Sequence, residues 1–355
     1  MMKIVHAIFT FTTGGLETML VDIINHQCRE ASIFLFIIND KINPDLIKTL
    51  DKSVTVFCLG RKEGVKTLLL HTYFKIRKLV NQIHPDVIHC HNNNLFPLFI
   101  RWKQRTFLTV HNVQLSTRFL SKFRQVFAIS AVVKEDIRKR AGVEAKIINN
   151  GIELSEYKSR ENYDFNPVQE VFNIIQISRL SPMQKGQHIA IKSTHLLKEL
   201  YPEIRFQLYF VGDGYALSEL KTLTIQYNLQ DRITFVGQVD RNWVKEKLKD
   251  YHILIQPSLF EGFGLTVIEG FACGIPVIAS DLDGPKEIIE TLQSGILVRP
   301  NDPVDLSEKI YQVYQSYLSN SLKDNNFILK EKSKLDIFNI QTTAKLYINN
   351  YFTNT

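Results

Sequence analysis

Short apolar runs alternate with amphipathic segments along this chain, and they do so in two rounds separated by a polar stretch. Runs this short, rich in Val, Ile and Phe, read as strands buried on both faces. The strand–helix–strand order then calls for parallel sheets covered by helices, an α/β fold. The first round predicts strands at 3–9, 33–38, 54–58, 87–90, 106–110 and 126–129, with helices at 16–26, 65–82 and 131–141. After Asn149-Asn150-Gly151 the pattern loosens over 153–169, which contains Pro167 and reads as an interdomain linker. The second round predicts strands at 171–178, 205–211, 233–236, 253–256, 277–279 and 295–298, with helices at 187–200, 216–227, 241–250, 265–273 and 304–318. A chain of 355 residues exceeds one ordinary core. The expected domains are 1–152 and 170–325, with a last helix at about 336–352 returning to the first. Two doubly wound sheets put the expected ligand site in a cleft between them, at the carboxyl ends of the strands.

Charge is divided unevenly. Residues 1–150 hold 22 Lys and Arg against 11 Asp and Glu, so the whole positive excess of the chain lies in that half. This half is expected to meet something anionic, a solvated basic face being the alternative. Basic and aromatic residues interleave around Arg101-Trp102-Lys103 and Arg118-Phe119, and a second cluster holds Arg61, Lys62, Lys66, Lys75, Arg77 and Lys78. That mixture suits an anionic membrane surface; no recognition motif for nucleic acid accompanies it. Cys28, Cys58, Cys90 and Cys273 form no C-x-x-C pair, so buried reduced thiols are expected. The apolar opening is only about seven residues long, too short for a signal-peptide core, and no stretch approaches the roughly 20 residues of a membrane span. A cytoplasmic chain is expected.

The segment Pro257-Ser258-Leu259-Phe260-Glu261-Gly262-Phe263-Gly264-Leu265-Thr266 carries the most chemistry. A strand ends before it, glycines follow, and a helix opens near Leu265. Gly262 and Gly264 let backbone amides approach a ligand, and a helix N-terminus suits a phosphate. Glu269, one turn inside, could accept hydrogen bonds from a vicinal diol such as ribose, and Glu261 from sugar hydroxyls. A surface glutamate and a glycine turn would explain each fragment separately; their convergence on one geometry argues for a site. Arg179 and Lys185 flank the end of another predicted strand and make sense as a diphosphate clamp, a pair of surface cations beside Pro182 being the alternative. Gly14 and Gly15 follow the first strand, but G-x-G-x-x-G is absent, which disfavours a nicotinamide enzyme. His89 and His91 flank Cys90; ordinary loop packing is the expected reading rather than a metal site, with His91 kept as a possible cleft residue.

Glu261 and Glu269, eight apart, resemble the E-x7-E motif of retaining glycosyltransferases of family 4, which have the GT-B fold. Other fragments resemble that family in order: Thr13-Gly14-Gly15-Leu16-Glu17, Asp86 to Asn92, Thr109-Val110-His111-Asn112, Asn150-Gly151-Ile152, Ser178-Arg179-Leu180 with Lys185-Gly186, Val211-Gly212-Asp213-Gly214, and Phe235-Val236-Gly237. The resemblance implies a GT-B enzyme of two Rossmann-like domains, moving a hexosyl or N-acetylhexosaminyl group with retention. His111, Glu261, Arg179 and Lys185 are the expected catalytic residues. The expected donor contacts are Gly14, Gly15, Arg179, Lys185, Val239, Glu261, Gly262, Phe263, Gly264, Leu265, Thr266 and Glu269. A UDP-sugar is the favoured donor and GDP-mannose the next. A glycan or lipid-linked glycan is the acceptor, in bacterial capsule or lipopolysaccharide synthesis, with peripheral contact at the inner face of the cell membrane. No metal or other cofactor is expected: the Asp281-Leu282-Asp283 triplet lacks the single-domain context in which such a triplet holds an ion. The resembled loop commonly carries two glycines where this chain has Asp283-Gly284. A nucleotide-sugar 2-epimerase and a noncatalytic nucleotide-sugar-binding protein are the alternatives.

Overall fold

The computed structural model describes residues 1–12, 14–62 and 68–352. Met1–Glu153 with the C-terminal stretch from Ile337 forms one unit, and Leu154–Asp336 forms the other. In the first unit seven parallel strands line up as β3-β2-β1-β4-β5-β6-β7. They are β1 (Met2–Ile8), β2 (Ala31–Asn39), β3 (Thr55–Arg61), β4 (Val87–Cys90), β5 (Thr106–Val110), β6 (Gln125–Ala128) and β7 (Ala145–Ile147). Every residue of β4 and β5 is buried, as expected of strands covered on both faces. The chain runs outward from β1 to β3 and then returns on the other side of β1 to start β4, so strand order reverses between β1 and β4. Helix termini follow their local chemistry. Ser130 Oγ accepts from Val133 N, and Gly142, at φ 62°, closes the helix Ala131–Ala141. Of the helix predicted at 65–82, the part from Leu68 is present as Leu68–Ile83, while Val65 and Lys66 lie outside the described residues, as does Thr13.

The helix Ile340–Phe352 packs on the helix Gly15–Gln27 and sends Tyr347 and Tyr351 into the first unit's core beside Phe107 and Phe127. Gly151 explains its own identity: a Cβ there would stand 2.7 Å from Ile340 N and from Thr343 Oγ1. Ile152 brackets the same contact, donating to Phe338 O at 2.9 Å and accepting from Ile340 N at 3.0 Å.

The second unit holds six parallel strands in the order β10-β9-β8-β11-β12-β13. They are β8 (Phe172–Ile177), β9 (Phe206–Val211), β10 (Ile233–Gly237), β11 (Ile253–Gln256), β12 (Val277–Ser280) and β13 (Ile296–Val298). Its strand order reverses between β8 and β11. The stretch read as a linker from 153 to 169 is packed from Leu154 onward as part of this unit. Lys158 N donates to Lys245 O at 2.9 Å, Arg160 N to Cys273 O at 2.8 Å, and the Tyr163 hydroxyl to Gly274 O at 2.6 Å. Tyr157, Tyr163 and Phe165 supply the apolar contact that the polar composition of the stretch concealed.

All four cysteines are free, but the expectation of burial holds only for Cys90 and Cys273; Cys28 is half-buried and Cys58 is exposed. Cys58 lies on β3, the edge strand, where one side has no neighbouring strand to cover it. Among the described residues no helix is long and apolar enough to cross a membrane.

Candidate active site

In the second unit the loops leaving β8 and β11 emerge side by side, where an open parallel sheet leaves room for a ligand. Gly186 locks them together. It sits at φ 69°, and a Cβ there would fall 1.8 Å from Pro257 O, so only glycine fits. Gln184 O accepts from Leu259 N at 2.8 Å and Phe260 N at 3.1 Å, while Gln176 Nε2 donates to Lys185 O at 2.6 Å. This stitching places Lys185 Nζ 2.5 Å from Glu261 Oε2, with 22% and 17% of the two side chains exposed. The two residues, expected to act separately, form an ion pair.

Past Glu261, Gly262, Phe263 and Gly264 are buried. Gly264 takes φ 102° as the N-cap of the helix Leu265–Ala272 and brings no capping side chain. The amides of the first turn, around Leu265 and Thr266, therefore offer their N–H groups and a partial positive charge to an anion. A second helix, Asp283–Leu292, supports the loop from behind. A Cβ on Gly284 would lie 2.2 Å from Phe263 Cα, and Gly284 N donates to Glu261 O at 3.3 Å. Asp283 itself adopts φ 46°, so the pair Asp283-Gly284 keeps glycine at the position that needs no side chain. This helix was missed in the sequence, because Gly284 and Pro285 in its first turn read as loop. Asp281 is held by Lys286 at 2.7 Å.

Arg179 follows β8 and is exposed. The glycines of Val211-Gly212-Asp213-Gly214 let the loop after β9 lie against it: a Cβ on Gly212 would be 2.1 Å from Ser178 O, and one on Gly214 2.4 Å from Leu180 O. Val239 is half-buried in the loop after β10, next to Asp240, whose Oδ1 caps the following helix at Trp243 N. Glu269 has a partner that sequence reasoning missed: the Tyr157 hydroxyl donates to its Oε1 at 2.9 Å. Burial and the Glu269 charge hold the Tyr157 phenol well above its ordinary range, so it stays a donor. An aromatic residue inside a stretch read as linker was the available signal.

Gly14, Gly15 and His111 belong to the first unit. Gly14 starts the helix Gly15–Gln27 with no side-chain cap. A Cβ on Gly14 would meet Glu17 Oε2 at 2.6 Å. His111, half-buried, follows β5 and ends a chain of imidazoles, the others buried, at the β1/β4 reversal. His6 Nε2 lies 2.8 Å from Gln27 Oε1, His6 Nδ1 3.0 Å from His91 Nε2, and His91 Nδ1 3.2 Å from His111 Nε2. His89, opposite His6 in register, bonds the Tyr351 hydroxyl and Thr109 Oγ1, each at 2.7 Å. Burial lowers His6 to about 4 and His111 to about 3, and holds His89 and His91 well below the usual histidine value, with their neighbours' charges adding to the effect. These imidazoles are neutral at pH 7. His6, His89 and His91 bring ring nitrogens within 4.8 Å of one another, a spacing that could hold a metal ion only by giving up the bonds just named. His91 also lines a cavity of about 240 Å³ with Phe9, Asn92, Ser116, Thr117 and Asp136. Sequence reasoning missed His6 and Gln27; a histidine inside the otherwise apolar run of β1 was the signal.

Two family descriptions match the chain almost end to end: Glycosyltransferase Family 4 over residues 13–156, and Glycosyl transferases group 1 over residues 159–330. The gpi3 subunit of phosphatidylinositol N-acetylglucosaminyltransferase from Schizosaccharomyces pombe is 27% identical over 235 residues, 64% of this chain and 49% of that protein. The chain thus spans about half the length of that relative. Lipopolysaccharide 1,6-galactosyltransferase of Escherichia coli K12 is 23% identical over 305 residues, 81% of this chain and 82% of that protein. Among solved structures, Anabaena Alr3699/HepE in complex with UDP and glucose has a TM-score of 0.80 at 20% identity, with all of both chains covered. Two parallel-sheet Rossmann-like units, both family matches and this structural likeness agree: the chain belongs to the family 4 type glycosyltransferases of the GT-B fold.

Proposed function

We propose that this protein transfers a sugar from a nucleoside-diphosphate donor, a UDP-sugar before GDP-mannose, to a glycan or lipid-linked glycan. The transfer retains the anomeric configuration, needs no metal, and serves bacterial surface polysaccharide assembly. The observation that carries the reading is the Lys185–Glu261 pair set beside an uncapped helix N-terminus at a strand-order reversal. Arg179, Lys185 and the amides at Leu265 and Thr266 take the diphosphate, whose charge grows as the sugar–phosphate bond breaks, so fixed cations there favour the transition state. Glu269, steadied by Tyr157, takes the ribose; Glu261 and His111 position the donor sugar. The acceptor oxygen attacks the anomeric carbon from the face the phosphate leaves, and the departing phosphate oxygen takes the acceptor proton. The similar E. coli and fission-yeast proteins, a lipopolysaccharide galactosyltransferase and a phosphatidylinositol N-acetylglucosaminyltransferase subunit, support a sugar donor and a glycan or lipid-linked acceptor.

Release of nucleoside diphosphate from UDP- and GDP-sugars, with the anomeric configuration of the product read by NMR, tests the reading. Release is expected for one donor class, with Glu261→Gln lowering kcat by roughly 100-fold. Inversion, or full activity in Glu261→Gln, would refute the assigned chemistry; donor turnover to a 2-epimer without acceptor would favour the isomerase. Membrane contact is part of the same proposal. Leu70, Phe74 and Ile100 are exposed apolar side chains in the same stretches as the exposed basic Lys75, Lys78, Arg101 and Lys103. Co-sedimentation with phosphatidylglycerol vesicles, lost at about 1 M salt, is the expected result; equal binding to neutral vesicles would contradict it.

A further inference from the structure

Hydrogen-bond polarity runs one way along the buried imidazoles of the first unit. The Gln27 amide is placed with Oε1 2.8 Å from His6 Nε2 and with its own Nε2 buried and unpartnered among the described residues; in that orientation the carbonyl oxygen only accepts, so the proton sits on His6 Nε2. Neutral His6 then has a lone pair on Nδ1, which must accept from His91 Nε2–H at 3.0 Å. His91 Nδ1 in turn accepts from His111 Nε2–H at 3.2 Å. What remains is His111 Nδ1, a buried lone pair with no hydrogen-bond partner among the described residues. We propose that Gln27, His6 and His91 are positioning residues that fix His111 as its Nε2–H tautomer, so that Nδ1 accepts a hydrogen bond from a sugar hydroxyl. The identity of that hydroxyl's owner as a sugar rests on the transferase reading; the tautomer chain does not.

The surroundings favour the neutral chain. Gln27, Thr109, Tyr347 and Tyr351 are the polar groups packed on these rings, His89 bridges Thr109 to Tyr351, and all are uncharged. Burial lowers His6, His91 and His111 alike, and at His91 the neighbouring imidazoles add to it, so the rings stay unprotonated at neutral pH.

The test is a long-range proton–nitrogen correlation spectrum of protein labelled with 15N-histidine, recorded without donor at a pH of about 7. His6, His91 and His111 are each expected to carry the proton on Nε2 and a bare lone pair on Nδ1. In Gln27→Met, which keeps the volume and removes the acceptor, His111 is expected to show both tautomers. Nδ1–H on His111 in the wild type, as a turned Gln27 amide would impose, overturns the proposal. So does an imidazolium signal, or a stoichiometric metal ion on these nitrogens. An unchanged His111 signal in folded Gln27→Met removes Gln27 from the role, and should that variant not fold, the wild-type spectrum still decides. Because no donor is present, absence of sugar transfer would refute the transferase reading and leave this result standing.

Discussion

Lys185 and Glu261 are each other's counter-ion at 2.5 Å, so a diphosphate that recruits Lys185 must share it with a carboxylate. Arg179, by contrast, is exposed. Glu269 presents a different balance, since Tyr157 occupies Oε1 and orients the carboxylate before any ligand arrives. A hydrogen bond to a charged group is worth about 1.5–3 kcal/mol. Tyr157→Phe is therefore expected to lower the stability of the second unit by about that amount in urea denaturation and to weaken nucleotide binding. Unchanged stability and binding together would show the contact to be incidental. Glu261, Gly264 and Glu269 were legible in the sequence because a strand, glycines and a helix start follow one another within a few residues. Tyr157 and Gln27 were not, because their roles depend on partners 112 and 21 residues away respectively.

At the scale of elements, glycine positions do more than the strands to shape the site. The loops after β8 and β11 meet only because Gly186 has no side chain, and the glycine loop rests on Gly284. Gly186→Ala combines a left-handed backbone with a Cβ 1.8 Å from Pro257 O. It is expected to cost at least about 3 kcal/mol and to part Lys185 from Glu261. Gly284→Ala is expected to cost about 1–3 kcal/mol and to weaken nucleotide binding. Chemical denaturation with a nucleotide titration measures both, and wild-type behaviour in either variant would refute the packing described. Twelve strands were legible as apolar runs; β7, only three residues at the sheet edge, carried too little pattern. The helix Asp283–Leu292 hid behind its own Gly284-Pro285 start.

For the molecule as a whole, the buried histidines set the response to acid. Neutral His6, held at about 4, and His111, held at about 3, take up no proton between pH 6.5 and those values, whereas the unfolded chain does. Their contribution is fully present above about pH 6.5 and is lost as pH falls from there toward 4, at up to about 1.4 kcal/mol per pH unit for each ring. The melting temperature is expected to be steady near neutrality and to fall below about pH 6.5; a flat profile down to about pH 4.5 would contradict the neutral, buried assignment. The two-unit plan was legible because the alternation restarts after 169; the packing of 154–169 into the second unit was not, since its aromatics sit in a stretch that is polar on average. The most direct test of the central claim is a melting-temperature screen with UDP-, GDP-, ADP- and TDP-sugars, run on the wild type and on Arg179→Ala. A ligand that binds only the folded state adds about 2.7 kcal/mol at 100 times its Kd. The expected result is that one nucleotide class, the UDP-sugars, stabilises the wild type and that Arg179→Ala loses most of the shift. No shift with any nucleotide sugar, or an equal shift in the variant, would contradict a diphosphate site at Arg179 and Lys185.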